Sequence, residues 1–326
     1  MRLISFEHQG ACRLGAWIND DSMIVDLAAA ARERGEDSGS VDSMLDLIEG
    51  GPAALDFARR LVSDPPEASV YPSAGMKILA PLPAPTQIRD FLCFEGHLKN
   101  VMNAIIEMRA RESEDPEATR TMMRESPASQ VPAVWYRQPL YYNCSRLCVA
   151  GPDEEVVWPH FSSLRDYELE LAVVIGTGGR DIRREDALAH VFGYTIFNDL
   201  SARDEQFAVM EGRLGPGRGK DFDKSNVFGP CIVTADEIPD PGVLEMVARV
   251  NGEEWSRGNS SMMYHRFEDV IAEASRCETI HPGEILGSGT VPTGCGVEHI
   301  RFLENGDLVE LEIERIGKLR TRIAVQ

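Results

Sequence analysis

Asp166-Tyr167-Glu168-Leu169-Glu170-Leu171-Ala172-Val173-Val174-Ile175-Gly176 decides how the rest of the chain is read. An aliphatic, β-branched run that closes on glycine reads as a strand, and its continuous apolar half argues for burial inside a sheet. Successive side chains of a strand point to opposite faces, so Glu168 and Glu170 share one side while Leu169 and Leu171 share the other. Two carboxylates held together on one rigid face repel each other unless they are protonated or bridged by a cation. That makes the pair half of a site for a hard metal ion. An exposed acidic edge would carry the same spacing, but not the apolar run that follows it.

Outward from this run, short β-type segments recur from about residue 78 onward: LCVAG, EVVW, FGYTIFN, GPCIVT, MVARVNG, GEILGSGT and LVELEIERIG, separated by Gly, Pro and Asp. Helical windows interrupt them chiefly at Arg184 to Val191, Ala202 to Met210 and Arg266 to Ser275. A doubly wound parallel sheet would need a helix after most strands, so the expected class is mostly β (α+β), with rolled or barrel-like sheets. Residues 1–75 read as a small β-rich unit (LISF, LGAWI, MIVDL) with a helix-like stretch from Ser43 to Leu61. Pro65, Pro66, Pro72, Pro81, Pro83 and Pro85 break both kinds of regular structure and set the expected boundary, leaving 76–326 as the second domain. The charged, Met-containing segment from Leu98 to Pro132 reads as a mobile, lid-like insertion over a site.

Composition narrows the partners. The 326 residues are 43% hydrophobic and 26% charged, ordinary globular usage, and the charge sum of 33 minus 53 is −20. So acidic a surface repels phosphate backbones and anionic lipid, which excludes nucleic acid and membrane as first expectations. A small anion can still bind where a metal or a local basic pocket reverses the field. No run approaches the roughly 18 apolar residues of a membrane helix, and the start MRLISFEHQGACRLGAW has no basic segment followed by an apolar one, so a cytoplasmic location is expected. Cys12, Cys93, Cys144, Cys148, Cys231, Cys277 and Cys295 form no CxxC pair and read as reduced thiols.

A second acid, Asp199, closes FGYTIFND at the passage from strand to helix, an N-cap position. Arg203 and Gln206 follow at plus four and plus seven and share a helical face with it, so a carboxylate, a guanidinium and an amide can meet around a metal-bound organic anion. GRLGPGRGKDFDKS invites a phosphate-loop reading. That reading fails, because Leu214 replaces the required glycine and Asp221 follows Lys220. Lys220 remains as a cation for the pocket.

The runs DYELELAVVIG, FGYTIFNDLSARDEQ, GKDFD with GPCIVT, VNGE, HPGEILGSGTVPTGCG and NGDLVELEIERIG, in this order, resemble the fumarylacetoacetate hydrolase superfamily over about 150–323, with a weaker match back to Ile88. The resemblance implies a β-roll catalytic domain behind a small N-terminal β domain, a homodimer, and a divalent cation. That cation is usually Mg²⁺, with Mn²⁺ or Ca²⁺ as alternatives, held by Glu168, Glu170 and Asp199. IRDFLCFEGHLKN resembles the segment of fumarylacetoacetases that makes Asp90 a fourth ligand and His97 a general base. Acylpyruvate hydrolases carry Glu three residues after this histidine, where Asn100 stands here, so Glu298 of SGTVPTGCGVEH becomes the candidate partner of His97. Leu92 stands where fumarylacetoacetases have a tyrosine, a departure that bears on substrate identity.

The activity implied is hydrolysis of a carbon–carbon bond in a small anionic β-diketo acid, fumarylacetoacetate- or acylpyruvate-like. His97 with Glu298 would deprotonate the attacking water. Lys220, Arg203, Gln206 and Thr290 would contact the substrate, the first three also stabilising the enolate. Without Glu at position 100, a decarboxylase, isomerase or dehydratase of a related 2-oxo acid on the same platform is the alternative, and a non-catalytic metal-binding protein the second alternative.

Overall fold

The computed structural model describes residues 1–325 and, among them, two large sheets. The larger has the spatial order Val70–Pro72, Met23–Asp26, Ala11–Ile18, Arg2–His8, Asn226–Thr234, Val191–Asp199, Leu169–Ile175, Glu284–Gly287, Gln87–Phe91, Tyr141–Cys144. The smaller runs Glu253–Asn259, Glu245–Val250, Leu308–Ile313, Gly317–Val325, Glu155–Trp158. Mostly antiparallel neighbours and few crossover helices make this the β-rich fold the strand pattern predicts.

The three central strands are buried along their whole length, which is why their sequences are continuously apolar instead of alternating. Each face packs a different core. Leu169, Leu171, Val173 and Ile175 join the residues of the smaller sheet, among them Met246, Leu311 and Ile323. Ala172 and Val174 join the core built with Leu47, Ala58 and Leu61 of the N-terminal helices Met44–Glu49 and Gly51–Ser63. Glu170 lies on the second of these faces by parity, as does Glu168.

The proline-rich segment marks no break in the sheet. Arg2–His8 pairs antiparallel with Asn226–Thr234, with Leu3 opposite Ile232, and also with Lys77–Leu79, so strands from residues 1–75 continue the larger sheet. The segment after His97 is helical: Glu95–Arg111 and Pro116–Glu125 stand as a pair. Asp115 caps the second helix through the N–H of Ala118, and Arg120 bonds across to Glu107 at 2.9 Å. The charge density there is spent between the helices, a pairing that spacing within one helix does not reveal.

Candidate active site

Strand register assembles the acids. Glu168 sits one residue ahead of Leu169–Ile175, and Leu169 lies opposite Asn198, so Asp199 at the end of the neighbouring strand comes beside Glu168. Asp199 ends a strand, and the following helix, Arg203–Met210, is capped at Ala202, so the N-cap reading of Asp199 is corrected and its carboxylate is free for other work. On the other side, Gly287 pairs with Ala172 and with Asp90. A Cβ on Gly287 would lie 2.6 Å from Asp90 Oδ1 and 2.9 Å from Glu170 Oε2, so only glycine lets these two carboxylates meet across it. Ligand oxygens of Asp90, Glu168, Glu170 and Asp199 all fall within 4.8 Å of one another, and all four residues are buried.

The electrostatics of this cluster ask for positive charge. Burial, reinforced by the charge of Asp199, pushes the Asp90 carboxyl up to about 8. Burial likewise lifts Asp199 to about 6 against the pull of Lys220, and raises Glu170 well above its usual range. Glu168 goes the other way, because Lys220 and Arg203 outweigh its burial and hold it below the usual carboxylate range. Lys220 Nζ donates at 2.5 Å to both Glu168 Oε2 and Asp199 Oδ2, and Tyr142 donates to Asp199 Oδ2 at 2.5 Å. Even so, Asp90 Oδ1, Glu170 Oε1 and Asp199 Oδ1 are buried without a hydrogen-bond partner among the described residues. Unpartnered buried oxygens are costly, and an all-oxygen donor set is what a hard divalent cation takes, so these four residues could hold one.

A pH prediction follows directly. Asp90 and Asp199 titrate in the folded protein above the roughly 3.9 of an unfolded aspartate, so the folded state binds the extra protons. Their contribution to stability is present at low pH and is lost as pH rises through about 6 and then about 8. The melting temperature in chelator should therefore fall across that window, and Mg²⁺ or Mn²⁺ should suppress the fall. A melting temperature that rises across the window in chelator would contradict this account.

His97 lies in the first turn of Glu95–Arg111. Its Nδ1 is 2.7 Å from Glu298 Oε1, while Glu298 Oε2 accepts from Asn100 Nδ2 at 2.6 Å and from the Thr293 N–H at 2.8 Å. Thr293 adopts φ 69°, an unfavourable backbone for a β-branched residue, and this turn is what aims its N–H at Glu298. Burial would raise the Glu298 carboxyl, but His97, Asn100 and Thr293 together hold it below its usual range. An ionised carboxylate only accepts, so Nδ1 carries the proton and Nε2 keeps its lone pair. Asn100 does not touch the imidazole. It secures the carboxylate that does.

His97, Asp90, Glu168, Glu170, Lys220 and Thr290 line one cavity of about 910 Å³, and Asp199 sits behind it, bonded to Lys220. Thr290 Oγ1 is buried there without a partner. Arg203 also reaches the cavity, but its guanidinium is committed: Nε to Asp166 at 2.7 Å, Nη2 to Glu168 at 2.7 Å and Nη1 to Gln206 at 3.0 Å. Gly219, whose Cβ would stand 2.5 Å from Gln206 Cα, lets the Lys220 loop close onto that helix. Two participants escaped the sequence reading. Asp166, which also accepts the N–H groups of Gly296 and Val297, shares the parity of Glu168 and Glu170 and was legible on that ground; nothing in sequence points to Tyr142.

A family profile described as the fumarylacetoacetate (FAA) hydrolase C-terminal domain matches residues 87–324. The human mitochondrial oxaloacetate tautomerase FAHD2A is 32% identical over 99% of this chain and 91% of its own length. The oxaloacetate tautomerase YisK of Bacillus subtilis is 32% identical over 94% of each chain. Among solved structures, the fumarylacetoacetate hydrolase of Exiguobacterium antarcticum superposes with a TM-score of 0.73 at 26% identity, covering 100% of both chains. Maleylpyruvate hydrolase of Sphingobium sp. SYK-6, solved with manganese(II) and pyruvate, has the same fold, with a TM-score of 0.71 at 23% identity over 100% of this chain and 99% of its own. The expectation of a hydrolase acting on carbon–carbon bonds is corrected by the sequence relatives above 30% identity, FAHD2A and YisK, which are named oxaloacetate tautomerases, whereas the hydrolases among the solved structures are less than 30% identical. The motifs could not separate the two, because both chemistries can pass through a stabilised enolate. Nor do the relatives support a plainly cytoplasmic location, several being mitochondrial by name, and no helix among the described residues is long and apolar enough to cross a membrane. With the profile spanning most of its length and relatives above 30% identity along nearly all of it, the chain belongs to the fumarylacetoacetate hydrolase family.

Proposed function

We propose that this chain is a divalent-cation-dependent keto–enol tautomerase acting on oxaloacetate or a closely similar 2-oxo acid. The observation that carries the reading is one cavity lined by a carboxylate-backed histidine and by three members of a buried four-acid cluster, in a chain whose full-length relatives are named oxaloacetate tautomerases. Asp90, Glu168, Glu170 and Asp199 would hold the cation. Bound there, it would supply Lewis-acid polarisation and a template for the 2-oxo acid.

The chain's own residues do the proton work. His97 Nε2 takes a proton from C3 of the keto acid, leaving an enolate, and returns it to the C2 oxygen to give the enol. The reverse direction uses the same atoms. Glu298 stabilises the imidazolium between the two transfers through its bond to Nδ1. Lys220 faces the negative charge as it develops, and the Thr290 hydroxyl is free to donate to a substrate oxygen. No attacking water is needed. The apolar side chains Leu98, Val101, Met102 and Ile105, which line the cavity beyond His97, fit a reaction from which water is kept out.

The test follows enol-oxaloacetate by its ultraviolet absorbance. With Mg²⁺ or Mn²⁺ the enol signal should decay faster than without protein, chelator should remove the acceleration, and total oxaloacetate, titrated with malate dehydrogenase and NADH, should stay constant. Pyruvate accumulating in step with the absorbance loss would sink the tautomerase reading.

A further inference from the structure

We infer that His97 Nδ1, Cys295 Sγ and Glu298 Oε1 form a second metal site, one for a thiolate-binding tetrahedral cation of which Zn²⁺ is the type, and that filling it switches off the base. The switch rests on the reading of His97 as the proton-transferring group; the site itself does not. The three donor atoms lie within 4.8 Å of one another, with Sγ 3.4 Å from Glu298 Oε1 and 3.9 Å from His97 Nδ1. Zinc takes sulfur at about 2.3 Å and nitrogen or oxygen at about 2.0 to 2.2 Å, so a tetrahedral site needs donors roughly 3.4 to 3.6 Å apart. Both sulfur edges are already near that span. The remaining edge, 2.7 Å between Nδ1 and Oε1, is held short by a shared proton and opens when that proton leaves.

Proton and charge bookkeeping are consistent with the site. Binding releases the thiol proton of Cys295 to solvent, while the hydrogen of His97 leaves Nδ1 and one is taken up at Nε2, so the ring stays neutral and a thiolate and a carboxylate together neutralise the dication. The donor set is also chemically distinct from the neighbouring cluster. Four carboxylates suit Mg²⁺, whereas sulfur and imidazole nitrogen suit zinc. Glu298 also lines a second crevice of about 220 Å³ with Asn100, Glu107 and His299. The effect on His97 follows from its two nitrogens. When Nδ1 gives its lone pair to a metal, the neutral ring carries its hydrogen on Nε2, and the lone pair that would accept the substrate proton is gone.

The experiment uses protein saturated with Mg²⁺, so that the carboxylate cluster is occupied, with the exposed Cys12 and Cys277 changed to serine to remove surface thiols. Co²⁺ serves as the probe because it shows thiolate ligation as a near-ultraviolet charge-transfer band and four-coordination as intense visible bands. Both should appear, Zn²⁺ should abolish them, and Zn²⁺ should inhibit enol–keto conversion in proportion to the sites filled. Cys295→Ser, with inhibition read against its own zinc-free rate, should lose the thiolate band and need more zinc for the same fractional inhibition by at least the roughly 10- to 100-fold that loss of even a supporting residue costs a metal site. Absence of the band in the parent protein overturns the site even if Cys295→Ser and Cys295→Ala both fail to fold. So does a band that survives in Cys295→Ser. Inhibition by equal zinc in both proteins would mean displacement of Mg²⁺ and overturns the switch, as does a band with a basal rate that zinc leaves untouched. A band without basal tautomerase activity overturns the reading of the reaction, and the switch with it, but not the site.

Discussion

His97→Ala should lower kcat/KM for enol–keto interconversion by roughly 10²- to 10⁴-fold, the range a positioned general acid–base supplies, while the melting-temperature rise on adding Mg²⁺ stays as in the parent. The two readouts separate because His97 is not among the four acids and bonds only to Glu298 and, weakly, to Cys295 among the described residues. Glu298→Gln provides the companion measurement. A neutral amide can still accept from Nδ1, so the ring stays in place, but the charge that stabilises the imidazolium is gone. Its rate should fall by a smaller factor than in His97→Ala, because the base is kept and only the anion that stabilises it between the two transfers is lost. If His97→Ala turns over at a near-parent rate, proton transfer is carried by another group and the assignment of the base is wrong.

The acids were readable from sequence for a physical reason that the rest of the site lacks. Glu168 and Glu170 are two apart on one strand, and a strand's alternation fixes where they point whatever surrounds them. Asp199 was found at its strand end, yet its local role was misread, because the step from Val191–Asp199 to Arg203–Met210 takes three further residues before the helix begins. Arg203 and Gln206 were expected to converge with Asp199 on a ligand. They do share the helix, but the guanidinium is taken up by Asp166 and Glu168, a demand set by strand register that helical spacing cannot show. The pairing of His97 with Glu298 spans 201 residues and depends on a strained turn at Thr293, so family resemblance could suggest it and spacing could not. At the level of the fold, the β-type runs predicted the strands, while the pairing of Arg2–His8 with Asn226–Thr234 joins two stretches that the proline-rich segment separates in sequence. The reaction was the least legible part. A base, a cation cluster and an enolate-stabilising lysine are common to hydrolysis and tautomerisation.

Glu170→Gln tests the cation cluster from the opposite direction, and its sign differs from that of most buried substitutions. Glu170 is fully buried, its carboxyl is raised well above the usual range by burial and by Asp90, and its Oε1 has no partner among the described residues. Burial and Asp90 thus favour its neutral form in chelator, and glutamine, nearly the same in shape and also neutral, removes little that the metal-free fold relies on. Its melting temperature in chelator should stay close to that of the parent, whereas replacing one partner of a buried ion pair normally destabilises by about 3 to 5 kcal/mol. The metal response should change sharply. A cation at 100 times its dissociation constant stabilises the parent by about 2.7 kcal/mol, and loss of an anionic ligand should remove most of that gain. Turnover should fall with it, because a Lewis acid worth several kcal/mol corresponds to roughly a thousandfold in rate. Differential scanning calorimetry with and without Mg²⁺, paired with the enol assay, reads both effects on one preparation. A Glu170→Gln protein that keeps the full metal-induced shift would show that the cation does not depend on this strand face, and the reading that begins with Glu168 and Glu170 would have to be abandoned.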